Sequence, residues 1–328
     1  MTSAPLRHLR VFALLCGLGV FALHGFAADN PRVFRAGAAT SNITPKLGTS
    51  INGNMSDGKA THVHDELHAR ALVLDDGTNK LAIVVNDSCM IPREVFDEAK
   101  RLASEATGIP ATHMLMSATH THSAASSASV FQSEADMEYR AFLTVRIADA
   151  VRRAHNNLAP ARIGWGKASV PDQVHNRRWH MKDGFDLKNP FGEVDKVRMN
   201  PPRGVPELVK PAGPIDPDVS ILSLQTASGR PLALHANYSL HYVGDRPALS
   251  ADYFGEFCRI MTQELKAESS GFVALMSNGT SGDANPIDFT KTNWVSTPPV
   301  VARAVADAAH EALAKMNYRE EEIGRAHV

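Results

Sequence analysis

The sequence predicts an α/β protein in which mixed β-sheets are flanked by helices. Short apolar runs rich in β-branched residues alternate with stretches whose apolar residues recur at helical spacing, and the alternation lacks a strict βαβ repeat. The chain has 328 residues, of which 44% are hydrophobic and 21% charged. This balance is typical of a globular protein with a substantial core.

The first elements are a hairpin, a helix and a strand. Two apolar runs, 69–74 and 81–85, flank the segment DDGTN, whose Asp-Gly pair is typical of a hairpin turn. Helical spacing then predicts a helix that begins after Pro92 and ends at TGIP. A strand is expected at 114–117.

A long helix and a proline-rich segment occupy the middle of the chain. Ser133, with Asp136 three residues later, predicts a capping-box start for a helix that ends near Leu158. A strand is expected at 161–170. Segment 182–218 contains seven prolines and no sustained period, which favours a functional loop or lid, with a disordered insertion as the alternative.

A second hairpin and two helices complete the prediction. Runs 219–224 and 231–235 flank TASGR, and Ser250 is expected to cap a helix. Segment 272–276 predicts a strand, and an Ala-rich helix should follow from about Pro299.

Both ends of the chain differ from the rest. A basic flank, the uncharged run 11–26 and small residues at its end predict a signal peptide over 1–27, with export to the periplasm or the extracellular space. The domain at 28–318 should be incomplete at its C-terminus. Residues 319–328 are predicted to be a non-native tail, because EIGRAHV is what a common sequencing adapter encodes in one frame.

Charge and cysteine content limit the function further. The 34 basic and 35 acidic residues give a net charge of −1, so nucleic acid is not an expected partner. The substrate should be a small or lipid-like molecule. No transmembrane segment is expected after cleavage, and nothing indicates an oligomeric state. Cys89 and Cys258 are too few for a disulfide scaffold, and two free buried thiols are favoured over one bridge.

The segment MLMSATHTHSA is the strongest local signal. On extended backbone, His120 and His122 point the same way, and neutral imidazole is a common zinc ligand. A catalytic zinc usually has three protein ligands, so hydrogen-bonded histidines in a polar loop remain an alternative. The metallo-β-lactamase pattern is excluded, because Ser123, Ala124 and Ala125 stand where that pattern has an aspartate and a histidine.

The chain resembles the neutral ceramidase family, zinc-dependent amidases that cleave the N-acyl bond of ceramide. The resemblance rests on AGAATSNITP, ARALVL, AIVVNDSCM, SATHTHSA, HNRR, LHANYSLH, LSADYFG and SNGTSGDANP, in that order. It implies that His120 and His241 bind one Zn²⁺, that His122 is a catalytic-site histidine, and that Arg177 holds the substrate. A cleft arginine suits such a role because its planar fork binds an oxyanion or a carboxylate.

Two departures from the family pattern bear on catalysis. The family's other zinc ligands, a glutamate and a tyrosine, are expected beyond this C-terminus. Asn285 stands where the family has its active-site serine, and an amide cannot act as that nucleophile. Ser281 is not expected to replace it. If hydrolysis persists, zinc-bound water should be the nucleophile, with His122 moving the proton and Asn285 donating to an oxyanion.

Acidic residues and a second histidine cluster offer supporting roles. Asp87 and Asp283 end strands expected beside the histidines, so each could accept a hydrogen bond from an imidazole. Asp252 could do the same or stabilise the first turn of its helix. The segment HVHDELH at 62–68 is expected to be a loop or an edge of the site, with a second metal site as the alternative.

Three functions remain open from the sequence. The first is an exported zinc-dependent hydrolase that cleaves an amide or ester bond. The second is a non-catalytic binding relative that has lost the nucleophile. The third and weakest is a metallophosphoesterase that uses Asp87, Asn278 and Asp283 with the histidines to bind two metals.

Overall fold

The computed structural model describes residues 33–244 and 248–320, together with Met1. Its helices are Arg93–Thr107 (α1), Met137–Asn156 (α2), Asp252–Glu264 (α3) and Pro298–Ala314 (α4). Its strands are Arg35–Asn42 (β1), Ser50–Asn52 (β2), Gly58–Lys59 (β3), His68–Asp75 (β4), Lys80–Asn86 (β5), Met114–Ala118 (β6), Ala124–Ala125 (β7), Ala159–Ser169 (β8), His175–Asn176 (β9), Arg178–Met181 (β10), Arg198–Met199 (β11), Leu208–Pro211 (β12), Asp218–Thr226 (β13), Pro231–Tyr238 (β14), Val273–Asn278 (β15) and Ala284–Asn285 (β16).

Eight of these strands form one mixed sheet. Its order is β15-β14-β13-β8-β1-β4-β5-β6. The pairs β14–β15 and β5–β6 are parallel, and the other pairs in the sheet are antiparallel. The predicted α/β class, with a mixed sheet and flanking helices, is confirmed.

The sheet folds back on itself. On β4, Leu72 and Leu74 pack in one core cluster with Val273 and Leu275 of β15, although β4 and β15 are five places apart in the strand order. Only a curled sheet brings these side chains together. The molecule therefore has two inner layers of strands with a core between them.

Helices cover both outer faces of the curled sheet. Ala71 and Val73, which alternate with the inner-facing leucines of β4, pack in a cluster with Leu143 and Ile147 of α2. On the other side, side chains of α3 and α4 pack with the outer face of β14 and β15. The layers are thus helix, strand, strand and helix.

Most predicted elements are confirmed, and two helix starts are corrected. The cap of α2 is Asp136, whose carboxylate accepts from Tyr139 N at 2.9 Å, whereas Ser133 donates to Val130 O. Ser250 precedes α3 by two residues, and its Oγ accepts from Asp252 N at 3.1 Å. The sequence thus placed the cap of α2 three residues too early and the cap of α3 one residue too early.

The proline-rich segment is partly ordered as a small sheet. Strands β11 and β12 lie on either side of β10, and Trp179 of β10 is buried. Prolines remove backbone donors, so the strands are short. These two short strands lie within the loop that the sequence predicted at 182–218, and the function of that loop stays a prediction.

The carboxyl ends of β6 and β15 meet because the curled sheet brings its two edges together. Asn278, the last residue of β15, donates from Nδ2 to the carbonyl of Thr119, directly after β6, at 3.0 Å. This contact places the loop after β6 beside the loops after β14 and β15. Within the described part of the chain, no helix is long and apolar enough to cross a membrane.

Three predictions about the ends and the cysteines have different outcomes. The signal peptide at 1–27 lies outside the described residues apart from Met1, as does most of the tail at 319–328. Cys89 and Cys258 are free and buried. The favoured alternative of two separate thiols is confirmed.

Candidate metal centre

The loop after β6 fixes the backbone of His120. Thr119 N donates to Asn86 O, and His120 N donates to Ser88 O, both at 2.9 Å. His120 has φ 69°, in the left-handed region that few non-glycine residues adopt. A strained backbone of this kind persists only where the surrounding structure holds it. Here it turns the chain so that the rings of His120 and His122 face one point.

Backbone carbonyls orient two imidazoles. His120 Nδ1 lies 2.8 Å from Cys89 O, and His241 Nδ1 lies 3.0 Å from Ser281 O. In each pair the Nδ1–H donates to the carbonyl, so the tautomer leaves Nε2 without a proton, as an acceptor on the other side of the ring. An outer partner of this kind is what metal-binding histidines usually have.

The three rings converge. His120 Nε2 and His122 Nε2 are 3.1 Å apart, and the His241 ring centroid is 4.7 Å from that of His120 and 5.5 Å from that of His122. Two nitrogens bound tetrahedrally to one zinc at about 2.0–2.1 Å would be about 3.3 Å apart. The spacing of the first two nitrogens therefore fits a common metal ion.

Burial keeps the rings of His122 and His241 neutral. Desolvation, followed by the neighbouring His120, lowers the pKa of His122 to about 3. Desolvation also lowers the pKa of His241 to about 4, although the Ser281 carbonyl acts in the opposite direction. Neutral imidazole is the form that binds a metal, so at neutral pH His241 can bind one without loss of a proton.

Cys89 is an additional member of the cluster. Among the described residues, possible ligand atoms of Cys89, His120 and His122 lie within 4.8 Å of one another. Cys89 Sγ is 3.7 Å from His120 Nδ1, the nitrogen that already faces a carbonyl, and burial raises the pKa of the thiol to about 12. A protonated thiol on that side of the ring is a poor ligand, so we assign the donor set to the imidazoles.

Sequence reasoning missed two neighbours of His122. Tyr242 stacks on the His122 ring, with centroids 3.6 Å apart and planes at 16°. Gly53 has φ 111°, and a Cβ there would lie 2.6 Å from His122 Cγ. The glycine lets the backbone approach the ring, and its position in an otherwise unremarkable segment, SINGN, gave no signal of this contact.

Arg177 lies at the edge of the centre. Its NH2 donates to Gly282 O at 2.6 Å, its backbone N donates to Asp283 O at 2.8 Å, and its charge contributes to lowering the pKa of both His122 and His241. Its Nε is buried without a partner among the described residues. Burial lowers the pKa of the guanidinium, which nevertheless remains charged at neutral pH.

Asn285 is buried and already engaged. Its Nδ2 donates to Asn200 Oδ1 at 3.2 Å, and its Oδ1 accepts from Ile287 N at 2.9 Å. Its backbone pairs with His175 of β9. The amide locks the loop after β15 to the proline-rich segment, and one N–H of the side chain is left over for another acceptor.

The prediction that Asp87 and Asp283 accept hydrogen bonds from an imidazole was wrong, because their carboxylates have other donors. Asp87 is buried and accepts from Arg70 NH1 and from His68 N. Asp283 accepts from Asn176 Nδ2 at 3.2 Å. The carbonyls of Cys89 and Ser281 take the positions at the rings that these carboxylates were expected to occupy.

The carboxylate of Asp252 accepts hydrogen bonds from backbone N–H groups, and among the described residues it accepts none from an imidazole. Asp252 has φ 56° at the start of α3, and its carboxylate accepts from the backbone N of Val243, Gly244 and Tyr253. Desolvation raises its pKa to about 6. Its role is structural, which was one of the two alternatives that the sequence left open.

Fold and site together define an α/β protein with a three-histidine candidate metal centre at the carboxyl ends of strands, in which His122 and His241 are buried and His120 is half-buried. The model of the family described as neutral/alkaline non-lysosomal ceramidase, N-terminal, matches residues 34–293. The chain belongs to this family, a family of hydrolases.

Solved structures of related fold agree with this assignment. Neutral ceramidase from Pseudomonas aeruginosa superimposes with a TM-score of 0.68 at 20% sequence identity, over 86% of this chain and 45% of that one. A structure described as ceramidase complexed with C2 gives a TM-score of 0.68 at 20% identity, over 86% and 44%. This chain therefore spans less than half the length of these structures.

Proposed function

We propose that this chain forms the metal-binding part of an exported, zinc-dependent hydrolase that cleaves an N-acyl amide or an ester bond, in ceramide or another lipid-like substrate. The observation that carries the proposal is the convergence of His120, His122 and His241. Two of these rings are fixed by backbone carbonyls with Nε2 directed away from them. The family assignment supports the reaction class.

The donor set suits zinc. Nitrogen ligands and a site on a rigid sheet edge are typical of catalytic zinc, whereas magnesium and calcium prefer oxygen. His120 and His241 would hold the ion. Bound zinc would act as a Lewis acid on the scissile carbonyl and would lower the pKa of a water molecule.

His122 and Arg177 would act on the substrate. His122 has a buried Nδ1 without a partner among the described residues, and its neutral ring could accept a proton and pass it to the leaving group. Arg177 is held by Gly282 O and Asp283 O, so its guanidinium is positioned before substrate binds. It would stabilise the charge that develops on the carbonyl oxygen.

Asn285 argues against a covalent intermediate on its side chain. Both of its polar atoms already have partners, and an amide is not a nucleophile. Ser281 does not replace it, because its carbonyl lies against Nδ1 of His241, on the side of the ring away from Nε2.

The full-length natural protein tests the proposal. We expect it to hydrolyse at least one member of a panel of N-acyl and ester substrates, and a zinc chelator should abolish the turnover. If no member of the panel shows chelator-sensitive turnover, the proposed hydrolase function is refuted.

A non-catalytic binding relative is the second candidate, favoured by the engaged amide of Asn285. The variant Asn285→Ser separates the two functions. Ceramide hydrolysis gained by this variant alone would indicate that the wild type is a binding protein with an otherwise intact site. The metallophosphoesterase is not supported, because Asp87 and Asp283 contact Arg70 and Asn176.

A further inference from the structure

The ring of His122 is held differently from the other two imidazoles of the candidate metal centre. His120 and His241 each have Nδ1 against a backbone carbonyl, that of Cys89 and that of Ser281. Nδ1 of His122 is buried without a hydrogen-bond partner among the described residues. Apart from the approach of its Nε2 to Nε2 of His120, the orientation of this ring is therefore set by what packs against its faces.

Tyr242 covers one face of the ring. The two rings are nearly parallel, with an interplanar angle of 16° and centroids 3.6 Å apart. The backbone that follows Tyr242 is fixed, because Val243 N and Gly244 N donate to the carboxylate of Asp252 at 3.1 and 2.9 Å. The tyrosine ring is thus carried by a held segment of chain.

The backbone of Gly53 covers the opposite face. A Cβ on Gly53 would lie 2.6, 2.8 and 2.9 Å from Cγ, Nδ1 and Cδ2 of His122, so this point lies above the face of the ring. These are the three heavy atoms nearest to that point. If Tyr242 stacked on the same face, its ring atoms would be closer still, so the tyrosine and the glycine lie on opposite sides.

Strand pairing holds Gly53 in this place. Gly53 directly follows β2, whose last residue, Asn52, pairs with Ala124 of β7, and β7 begins two residues after His122. Asn52 Nδ2 also donates to Ala128 O at 3.0 Å. The strand pair therefore brings the glycine backbone against the imidazole, and the absence of a side chain permits the close approach.

We propose that Tyr242 is a positioning residue, which together with the backbone of Gly53 clamps the imidazole of His122 in the plane that directs its Nε2 toward His120. The inference rests on the proposed function, in which His122 moves the proton and His120 and His241 hold the ion. A ring clamped through its faces is not committed to one tautomer by a carbonyl, which suits a proton carrier.

A double-mutant cycle on the stability of the full-length natural protein tests the clamp and needs neither metal nor substrate. Gly53→Ala forces a methyl group against the ring of His122, which in the wild type cannot retreat because Tyr242 lies behind it. Tyr242→Leu removes the stacked ring and lets the imidazole move away. We expect Gly53→Ala to lower the urea midpoint by less in the Tyr242→Leu background than in the wild type.

Two controls assign the coupling to the imidazole. The strain of an alanine at positive φ is the same in both backgrounds of the cycle and cancels. In a His122→Ala background the coupling between Gly53→Ala and Tyr242→Leu should disappear, because the ring that lies between the two residues is gone. Phe142→Leu, the same kind of change at an exposed site on α2, should leave the effect of Gly53→Ala as it is in the wild type.

Turnover separates positioning from substrate binding and from support of the metal. On the substrate that the wild type cleaves, Tyr242→Leu should lower kcat by about 10–100-fold, since a displacement of about 1 Å can cost about 100-fold. KM and zinc content should stay those of the wild type. Tyr242→Phe keeps the stacked ring and should restore kcat. If Tyr242→Leu does not fold, Tyr242→Met, which adapts to irregular space, replaces it in both measurements.

The outcomes keep the two proposals apart. A wild type without chelator-sensitive turnover refutes the proposed function, and the stability cycle still decides whether Tyr242 holds the ring. Additive effects in the cycle, or a Tyr242→Leu variant that turns over like the wild type, refute the positioning role and leave the metal centre standing. A raised KM with unchanged kcat, loss of zinc, or a Tyr242→Phe variant as slow as Tyr242→Leu also overturns it.

Discussion

Two histidine-rich segments, 62–68 and 119–123, differ in the burial and the hydrogen bonding of their imidazole rings. In the second segment, His122 is buried, and the neighbouring His120 has its Nδ1 against a carbonyl. In the first, His62 and His64 are exposed, and His62 Nδ1 lies 3.0 Å from the hydroxyl of Thr61. A high density of histidines does not by itself make a candidate site. The second segment differs because one ring is buried and the other has an outer hydrogen-bond partner, which fixes that ring and its tautomer before a metal binds.

The largest effect should come from His120→Ala and His241→Ala. Each removes one of the two imidazoles proposed to hold the ion, so zinc affinity should fall by more than the roughly 100-fold that loss of an outer partner can cause. Elemental analysis after dialysis should find about one zinc in the wild type, as expected for a single site, and almost none in the variants. His155→Ala, on α2, is the control. An unchanged zinc content in either variant would exclude that histidine as a ligand.

Asp252 should make stability depend on pH. Its pKa is raised from 3.8 to about 6 by burial, so the folded state binds a proton more tightly than the unfolded state. The stability that this group contributes is then fully present below about pH 4 and is lost as the pH rises through 6. The loss should approach 3 kcal/mol, in round terms about 1.36 kcal/mol for each pH unit of the shift.

The comparison with Asp252→Asn isolates this contribution. Asparagine tolerates the left-handed backbone and cannot titrate. The difference in free energy of unfolding, wild type minus variant, should fall as the pH rises from 4 to 7 in urea titrations. Parallel curves for the two proteins would contradict the raised pKa.

Gly53→Ala should displace the ring of His122 in segment 119–123. The new Cβ would lie 2.6 Å from His122 Cγ, so the ring must move, and overpacking of this kind typically costs about 1–3 kcal/mol. The free energy of unfolding, measured in urea titrations, should fall by this amount. Gly48→Ala is the matched control, because Gly48 also has positive φ but its Cβ would meet nothing within 4 Å.

The difference between these two alanine variants measures the contact with His122, since both include the strain of a positive φ. Equal stability of the two variants would show that the ring accommodates the methyl group without cost.

The sequence predicted the elements better than their arrangement. Local periodicity gave both hairpins and the four helices, because side-chain spacing depends on residues close in the chain. The parallel pair β14–β15 and the approach of β15 to β6 depend on distant residues. Nothing in the spacing of either strand shows that Asn278 donates to Thr119 O.

The site was predicted in part for similar reasons. The family pattern brought His120, His122 and His241 together, and the structure places the three rings in contact. The partners of these rings were missed, since Cys89 and Ser281 contribute carbonyls, which every residue has. The role of Asp87 was predicted wrongly because its partner, Arg70, lies on the neighbouring strand β4. A buried carboxylate pairs with a cation in preference to a neutral ring.

The smallest effect should come from the exposed segment. The double variant His62→Ala/His64→Ala removes two exposed side chains, so the free energy of unfolding should change by less than about 0.5 kcal/mol. Zinc stoichiometry should remain that of the wild type, because the main-chain pairing of His62 O and His64 N with Leu249 does not need the rings. Zinc titrations of the wild type and the double variant, followed to saturation, test this directly. A wild type that binds two ions and a variant that binds one would show that HVHDELH is a metal site in its own right, and the contrast between the two segments would then be one of affinity.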